Sequence, residues 1–307
     1  MGPFRGRPTR LFEAIAWLGF SSAGLAQAAD EPASTPVAEP KPHWSGLPLW
    51  GVEAQARGYD IPLPFGIGVT GFSAEQPVNI EDLQLGRNGQ PPVSVSNFLQ
   101  IDRVQTTQQN VSVKFDVLVL PFLSVYGIAG RTQGTTKGVI QVPATPVFGI
   151  LEPRQLQLDA AFDGPTYGAG LTVQGGKRVG QSPDLMAIVV ADWNRTRTDL
   201  EFQNDALVAE TKPQATVFSA RVGLHGKVGE SMAGALWIGG MHQEIQQVVS
   251  GSIAGTDLQF SVVQSPAKPW NTLLGGLLEL GGGGSYVLVE GGFGERKSVL
   301  VSAVYRF

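Results

Sequence analysis

SVLVSAVYRF, residues 298–307, alternates with a period of two. Val299, Val301, Ala303, Tyr305 and Phe307 fall on one face of an extended chain. Ser298, Ser302 and Arg306 share the other face with Leu300 and Val304. The period of two is that of a β-strand, whose successive side chains point to opposite sides. The first face is wholly apolar and ends in two aromatic rings. The same pattern recurs upstream. In NVSVKFDVLVLPF (110–122), Val111, Val113, Phe115, Val117 and Val119 oppose Ser112, Lys114 and Asp116. In PTYGAGLTVQGGKR (165–178), Tyr167, Ala169, Leu171 and Val173 oppose Thr166, Gly168, Gly170, Thr172 and Gln174. LMAIVVADWNRTR (185–197) and QATVFSARVGLHG (214–226) alternate likewise, while the register of 232–247 is ambiguous.

Counting from the ends predicts ten strands, at about 60–73, 107–119, 122–133, 165–178, 185–200, 213–226, 232–248, 269–280, 285–293 and 297–307. Short connections (Leu120-Pro121, Gly180–Asp184, Val228–Ser231, Gly281–Gly284) alternate with long ones (74–106, 134–164, 201–212, 249–268). Only the turn Gly294–Lys297 breaks the rule. LQFSVVQ (258–264) reads as a hairpin extension; if it and 154–162 span instead, the count is twelve.

Composition fits the alternation. The chain has 307 residues, 40 of them Gly and none Cys. Glycine is about 13% of the chain, roughly twice the usual share, and charged residues are 16% against a usual ~25%. Several glycines sit opposite the bulky face, as at Gly66, Gly68, Gly168, Gly170 and Gly223, where small inward residues suit a narrow curved sheet. Without cysteine, disulfides and Cys-based zinc sites are excluded. A net charge of −4 argues against a general nucleic-acid binder.

Residues 1–28 read as an export signal: Arg5, Arg7 and Arg10 precede an apolar run, and Ala26-Gln27-Ala28 fits a cleavage site. Residues 29–58 follow as a flexible segment, rich in Pro, Ala and acids over its first half. Residues 59–307 then form the folded domain.

The aromatic pair at the chain end, Tyr305 and terminal Phe307, resembles the C-terminal signal of Gram-negative outer-membrane β-barrel proteins. The resemblance implies an all-β, antiparallel up-and-down barrel, inserted by the barrel assembly machinery through its last strand. It also implies contact with outer-membrane lipids, including lipopolysaccharide. KFDVLVLPFLSVYGIAG (114–130) is similar to an uncharacterised group of such proteins, to which no activity is assigned.

The register places Lys114, Asp116, Arg178, Asp192, Arg221, Glu279, Glu290 and Arg306 inside. Signs are balanced, four against four, which favours mutual pairing over a one-signed constriction. Trp193, Trp237, Trp270, Tyr167, Tyr286 and Tyr305 are candidates for interfacial girdles. Of the three histidines, His43 lies in the linker and His225 at the periplasmic rim. His242, with Glu244 on its face, lies near the outer rim and is the sharper candidate for lipid chemistry. No G-x-S-x-G motif accompanies it. No metal-ligand spacing and no cofactor motif stands out; Asp199, Glu201 and Asp205 read as a solvated acidic loop.

The expectation is a monomeric, porin-like, non-enzymatic outer-membrane barrel, acting as a narrow channel or in a structural and surface-interaction role. A lipid-modifying enzyme using His242 and a soluble periplasmic β-protein are the alternatives. Fractionation separates them first: the chain is expected with outer membranes, migrating faster in gels before heating than after. Recovery in the soluble periplasm contradicts the reading.

Overall fold

The structure, a computed structural model, describes residues 46–57, 59–87, 90–96, 100–142, 154–180, 185–203, 207–229, 232–253, 257–280 and 284–307. The export signal, His43 and Asp205 lie outside them. The described residues form one short helix, α1 (Gly51–Ala56), and fourteen strands. These are β1 (Phe65–Arg87), β2 (Val93–Ser94), β3 (Gln100–Leu120), β4 (Leu123–Val142), β5 (Arg154–Arg178), β6 (Leu185–Thr198) and β7 (Leu200–Gln203). There follow β8 (Leu207–Thr211), β9 (Gln214–Lys227), β10 (Met232–Ile253), β11 (Leu258–Pro266), β12 (Trp270–Leu280), β13 (Ser285–Phe293) and β14 (Lys297–Arg306).

Ten of the strands close a ring of antiparallel neighbours, β1–β3–β4–β5–β6–β9–β10–β12–β13–β14, and β14 returns to β1. The closing seam is regular from Gly66 opposite Arg306 to Glu75 opposite Lys297. Phe65 and Phe307 exchange both backbone hydrogen bonds below it (3.2 and 3.0 Å). The fold is an all-β barrel.

The strand count exceeds the expected ten because strands run on into all four of the long connections. A strand needs ~9–11 residues to cross a bilayer. β13 and β14, at 9 and 10 residues, are just long enough. β1 and β5 have 23 and 25, and their excess lies on the side away from the chain ends. β7 continues β6 past Asp199, β8 precedes β9 across Lys212-Pro213, and β11 precedes β12 across Ala267–Pro269. Proline has no N–H for a ladder, yet its carbonyl keeps these joints paired. Pro213 accepts from Thr198 N at 3.1 Å and Pro269 from Gln243 N at 2.9 Å.

Above the short β13–β14 hairpin, β11 crosses the gap and pairs with β1 from Val78–Pro266 to Arg87–Leu258. The wall there is a second ring of eight strands, β1–β3–β4–β5–β7–β8–β10–β11. We call it the collar. β2 lies against the upper part of β1, where Asp82 accepts hydrogen bonds from Ser94 (2.6 Å), Gln84 (2.7 Å) and Ser96 (2.9 Å). Those donors hold its carboxyl below the usual carboxylate range.

The outside of the ten-strand ring is an apolar band. Ile67, Val113, Phe115, Val189, Leu236, Leu274, Val289 and Val299 are all exposed on it. Soluble monomers rarely expose contiguous apolar surface of this extent. At its upper border outward side chains turn polar, with Arg131 and Asp163, Arg195 and Arg197, and Glu244 on strands and Lys268 and Glu295 in the adjoining turns. An apolar belt around a closed ring, bordered by charge, defines a membrane-spanning β-barrel of the outer-membrane type.

The other end is covered by the chain's own N-terminal part. Leu49 N donates to Val119 O (2.8 Å), Leu118 N to Pro64 O (2.7 Å), and Ala54, Tyr59 and Ile61 pack on Leu118. Residues 46–57, part of the segment 29–58 expected to be flexible, carry α1 beside the barrel's base; residues 29–45 lie outside the described ones.

Placing a charge on the belt tests its orientation. Val113→Arg, outward on β3, is expected to lower stability in lipid vesicles by about 2–4 kcal/mol. Gln133→Arg, on the collar face of β4, is expected to change it by less than about 0.5 kcal/mol in the same urea titration.

Candidate functional site: the charged plug of the lumen

Inward residues repeat every second position, so a strand that brings one charge inside brings another two residues on. β3 does this with Lys114 and Asp116, which are 1% and 0% exposed. Asp116 Oδ2 accepts from Arg306 Nη2 of β14, across the closing seam, and Lys114 Nζ lies 3.7 Å from Asp116 Oδ1. Arg306 also donates to Leu63 O (2.8 Å), tying the N-terminal segment to the same group. On its other side Lys114 stands over the Tyr126 ring, 5.1 Å from the centroid. Tyr126 reaches across β5 to Asp192 of β6, its hydroxyl 3.0 Å from both carboxylate oxygens. Thr172 (2.8 Å) and Asn194 (3.2 Å) complete the shell of Asp192.

A second group faces this one. Arg221 of β9 makes a two-pronged ion pair with Glu290 of β13, at 2.6 and 3.0 Å, and donates to Ser219 at 3.0 Å. Trp237 Nε1 of β10 donates to Glu290 Oε2 at 2.7 Å. Two inward glycines make the room. A Cβ on Gly170 would stand 2.5 Å from the Tyr126 ring, and one on Gly275 2.8 Å from Trp237 Nε1. Phe72, Met186, Ile188, Val217, Met241, Leu273, Leu288 and Leu300 fill the space around these groups.

The plug therefore holds Lys114, Arg221 and Arg306 against Asp116, Asp192 and Glu290, level with the apolar belt. Unpaired charge there is expensive, and each carboxylate has a partner. Arg178 and Glu279, also expected inside, lie half-buried at the basal rim below the plug. Glu279 is 3.5 Å from His225.

Above the plug the lumen is lined mainly by neutral polar groups. Hydroxyls and an amide form a hoop: Asn110 donates to Thr132 (2.8 Å), Thr132 bonds Thr166 (2.7 Å), and Thr166 bonds Thr198 (2.9 Å). Over it lies a cavity of about 70 Å³, lined by Gln76, Thr106, Gln108, Phe162, Gln243 and Gln264 among others.

The sharper catalytic candidate is placed elsewhere. His242 and Glu244 share the outer face of β10, Nδ1 and Oε1 4.0 Å apart, with the Trp270 ring 4.8 Å from the imidazole. Among the described residues no group of His, Asp and Glu is disposed to hold a metal. Trp193, Trp270, Tyr167 and Tyr305 face outward as a girdle would. Trp237 and Tyr286 do not: they are 6% and 2% exposed, inside the barrel. Gly239-Gly240 leave β10 with little contrast between its faces, so the sequence did not fix its register. Tyr126 and Trp237 were missed as plug residues. The inward parity of Ser124 carried the signal for Tyr126.

No family model matches the chain, and no curated protein does. Solved structures with some likeness include the outer membrane protein OprG from Pseudomonas aeruginosa, at 12% identity and a TM-score of 0.38, over 80% of this chain and 98% of that one. The transport unit of the autotransporter AIDA-I from Escherichia coli gives 10% and 0.36, over 80% and 90%. The Pseudomonas putida toluene transporter TodX gives 8% and 0.28, over 79% and 88%. At such values none of them bears on this chain's activity, and the barrel rests on its own strand pairing.

Breaking the Arg221–Glu290 pair from one side leaves a buried charge alone. Glu290→Ala is expected to cost about 3–5 kcal/mol in vesicle unfolding, and the double change Arg221→Met, Glu290→Leu to recover most of it. A double variant no more stable than Glu290→Ala contradicts the pairing.

Proposed function

We propose that the chain is an integral outer-membrane protein, non-enzymatic and monomeric, whose lumen is closed to solutes at rest and whose working surface is the collar. The observation that supports this most directly is the plug. Lys114 and Arg306 pair with Asp116 and Arg221 with Glu290 at the level of the belt, while Asp192 is held by Tyr126, Thr172 and Asn194, with aromatic and aliphatic side chains between the groups. A lumen filled this way braces the wall and admits no hydrated solute. In the same reading, residues 1–28 export the chain and the last strand, ending in Tyr305 and Phe307, presents it to the assembly machinery. The collar faces outward. Arg131, Arg195, Arg197 and Lys268, at the border of the belt, meet the anionic headgroups of lipopolysaccharide.

A narrow channel is the second reading, and one observation favours it. Asn110 Oδ1, Asn194 Oδ1 and Ser124 Oγ are buried at three heights of the lumen with no protein partner. Buried polar atoms of this kind are commonly met by ordered water. A broken file of waters past the plug suits a path that conducts only when the plug rearranges.

Planar-bilayer recording decides between them. The unmodified chain is expected to give no reproducible conductance steps, and the triple change Arg221→Ala, Trp237→Ala, Glu290→Ala to open them. Regular steps from the unmodified chain overturn the closed-lumen reading in favour of the channel.

A further inference from the structure

The turn between β13 and β14, Gly294–Arg296, lies where the ring of ten strands gives way to the collar of eight. Even-numbered residues of β14 face inward, and Arg296 continues that side: it is 2% exposed. Its Nε, Nη1 and Nη2 all lack a hydrogen-bond partner. The nearest acid in sequence, Glu295, points the other way and holds Lys268 at 2.8 Å. The acids of the plug are engaged lower down, with Arg306, Tyr126 and Arg221. Burial alone lowers the guanidinium pKa, to about 10, with no carboxylate acting to raise it. The other buried cations of the lumen, Lys114, Arg221 and Arg306, each stand against a carboxylate.

A second group beside the turn is also uncommitted. Asn271 of β12 is 5% exposed, and neither Oδ1 nor Nδ2 has a partner. It lies against the turn: a Cβ on Gly294 would be 2.9 Å from its Oδ1, and one on Gly292 2.5 Å from its Nδ2. The register sets both groups inside the barrel below the collar cavity. Ser298 pairs with Ala74 and Asn271 with Met241, and the next inward residues above those, Gln76 and Gln243, line the cavity.

A buried guanidinium whose three nitrogens have no partner is costly unless something meets them. We propose that Arg296 and Asn271 form a binding site for a small hydroxycarboxylate, entered through the collar. The planar fork of arginine matches a carboxylate with two parallel hydrogen bonds. Asn271 supplies one further donor and an acceptor, which a hydroxyl on the neighbouring carbon satisfies. One cation and a lining of neutral glutamines and threonines select a single negative charge. An ammonium group finds no acid here, so a zwitterion of the same size is disfavoured. The site stands whether or not the lumen below it conducts.

Calorimetric titration of the full chain in detergent micelles tests this with glycolate, acetate, glycine and sulfate as probes. Glycolate is expected to bind saturably at one per chain, acetate several-fold more weakly, and glycine and sulfate not measurably. Arg296→Gln is expected to weaken glycolate at least tenfold, and Asn271→Leu to erase the preference for glycolate over acetate. Thermal unfolding separates this from a structural role. Removing an uncommitted buried charge leaves the midpoint of Arg296→Gln unchanged or raised, whereas an arginine that braces the wall lowers it or prevents folding. Absence of saturable glycolate binding, unchanged binding by Arg296→Gln, or a failure of that variant to fold overturns the site. None of these results bears on the conductance that tests the closed lumen.

Discussion

The structure depends on one requirement: inside a bilayer no water is present to satisfy a backbone N–H or C=O. Every strand at that depth must find neighbours on both sides, so the sheet must close. The β1–β14 seam is where it does, with ten residue pairs in unbroken register and the Phe65–Phe307 exchange beneath. Closure then fixes what each residue can do. One parity of every strand meets lipid and must be apolar. The other parity meets the lumen, where charge is admissible only if paired. The belt and the plug are two consequences of the same closure.

The collar follows from a different balance. Above the belt water can meet both faces, so the parity rule relaxes and Gln and Thr take many of the positions around the cavity. Strand length sets the step between the two regions. β13 and β14 stop at the membrane border, and β11 takes their place beside β1. The step leaves the Arg296 side chain inside the barrel at a height where no carboxylate among the described residues pairs with it.

This contrast explains how far the sequence could be read. Within the belt alternation is strong, and the ten crossing segments are legible, with six of the eight inward charges buried there. In the collar the signal weakens. Residues 100–106 belong to β3, yet they lack alternation and fall in the expected connection 74–106. β7, but for Leu200, and β8 fell in the connection 201–212, too short for alternation to mark them, whereas 258–264 was legible as a strand beyond the membrane and forms β11. Register failed at Trp237 because Gly239-Gly240 carry no side chain to mark a face. Arg296 lies in a turn, where alternation makes no statement at all. The pairing of the plug, Arg306 with Asp116 and Arg221 with Glu290, depends on strands far apart in sequence, which parity alone does not align.

The closing seam is open to direct measurement, because the chain has no cysteine of its own. Thr70 of β1 and Ser302 of β14 are register partners, and their hydroxyl oxygens are 2.9 Å apart inside the barrel. Cysteines at 70 and 302 are expected to form a disulfide under mild oxidation in membranes, giving a cross-linked chain that keeps its compact form in the gel after heating. Cysteines at 70 and 301, one residue out of register and on opposite faces, are expected to stay reduced. Equal cross-linking of the two pairs, or none in the first, would contradict the closed barrel.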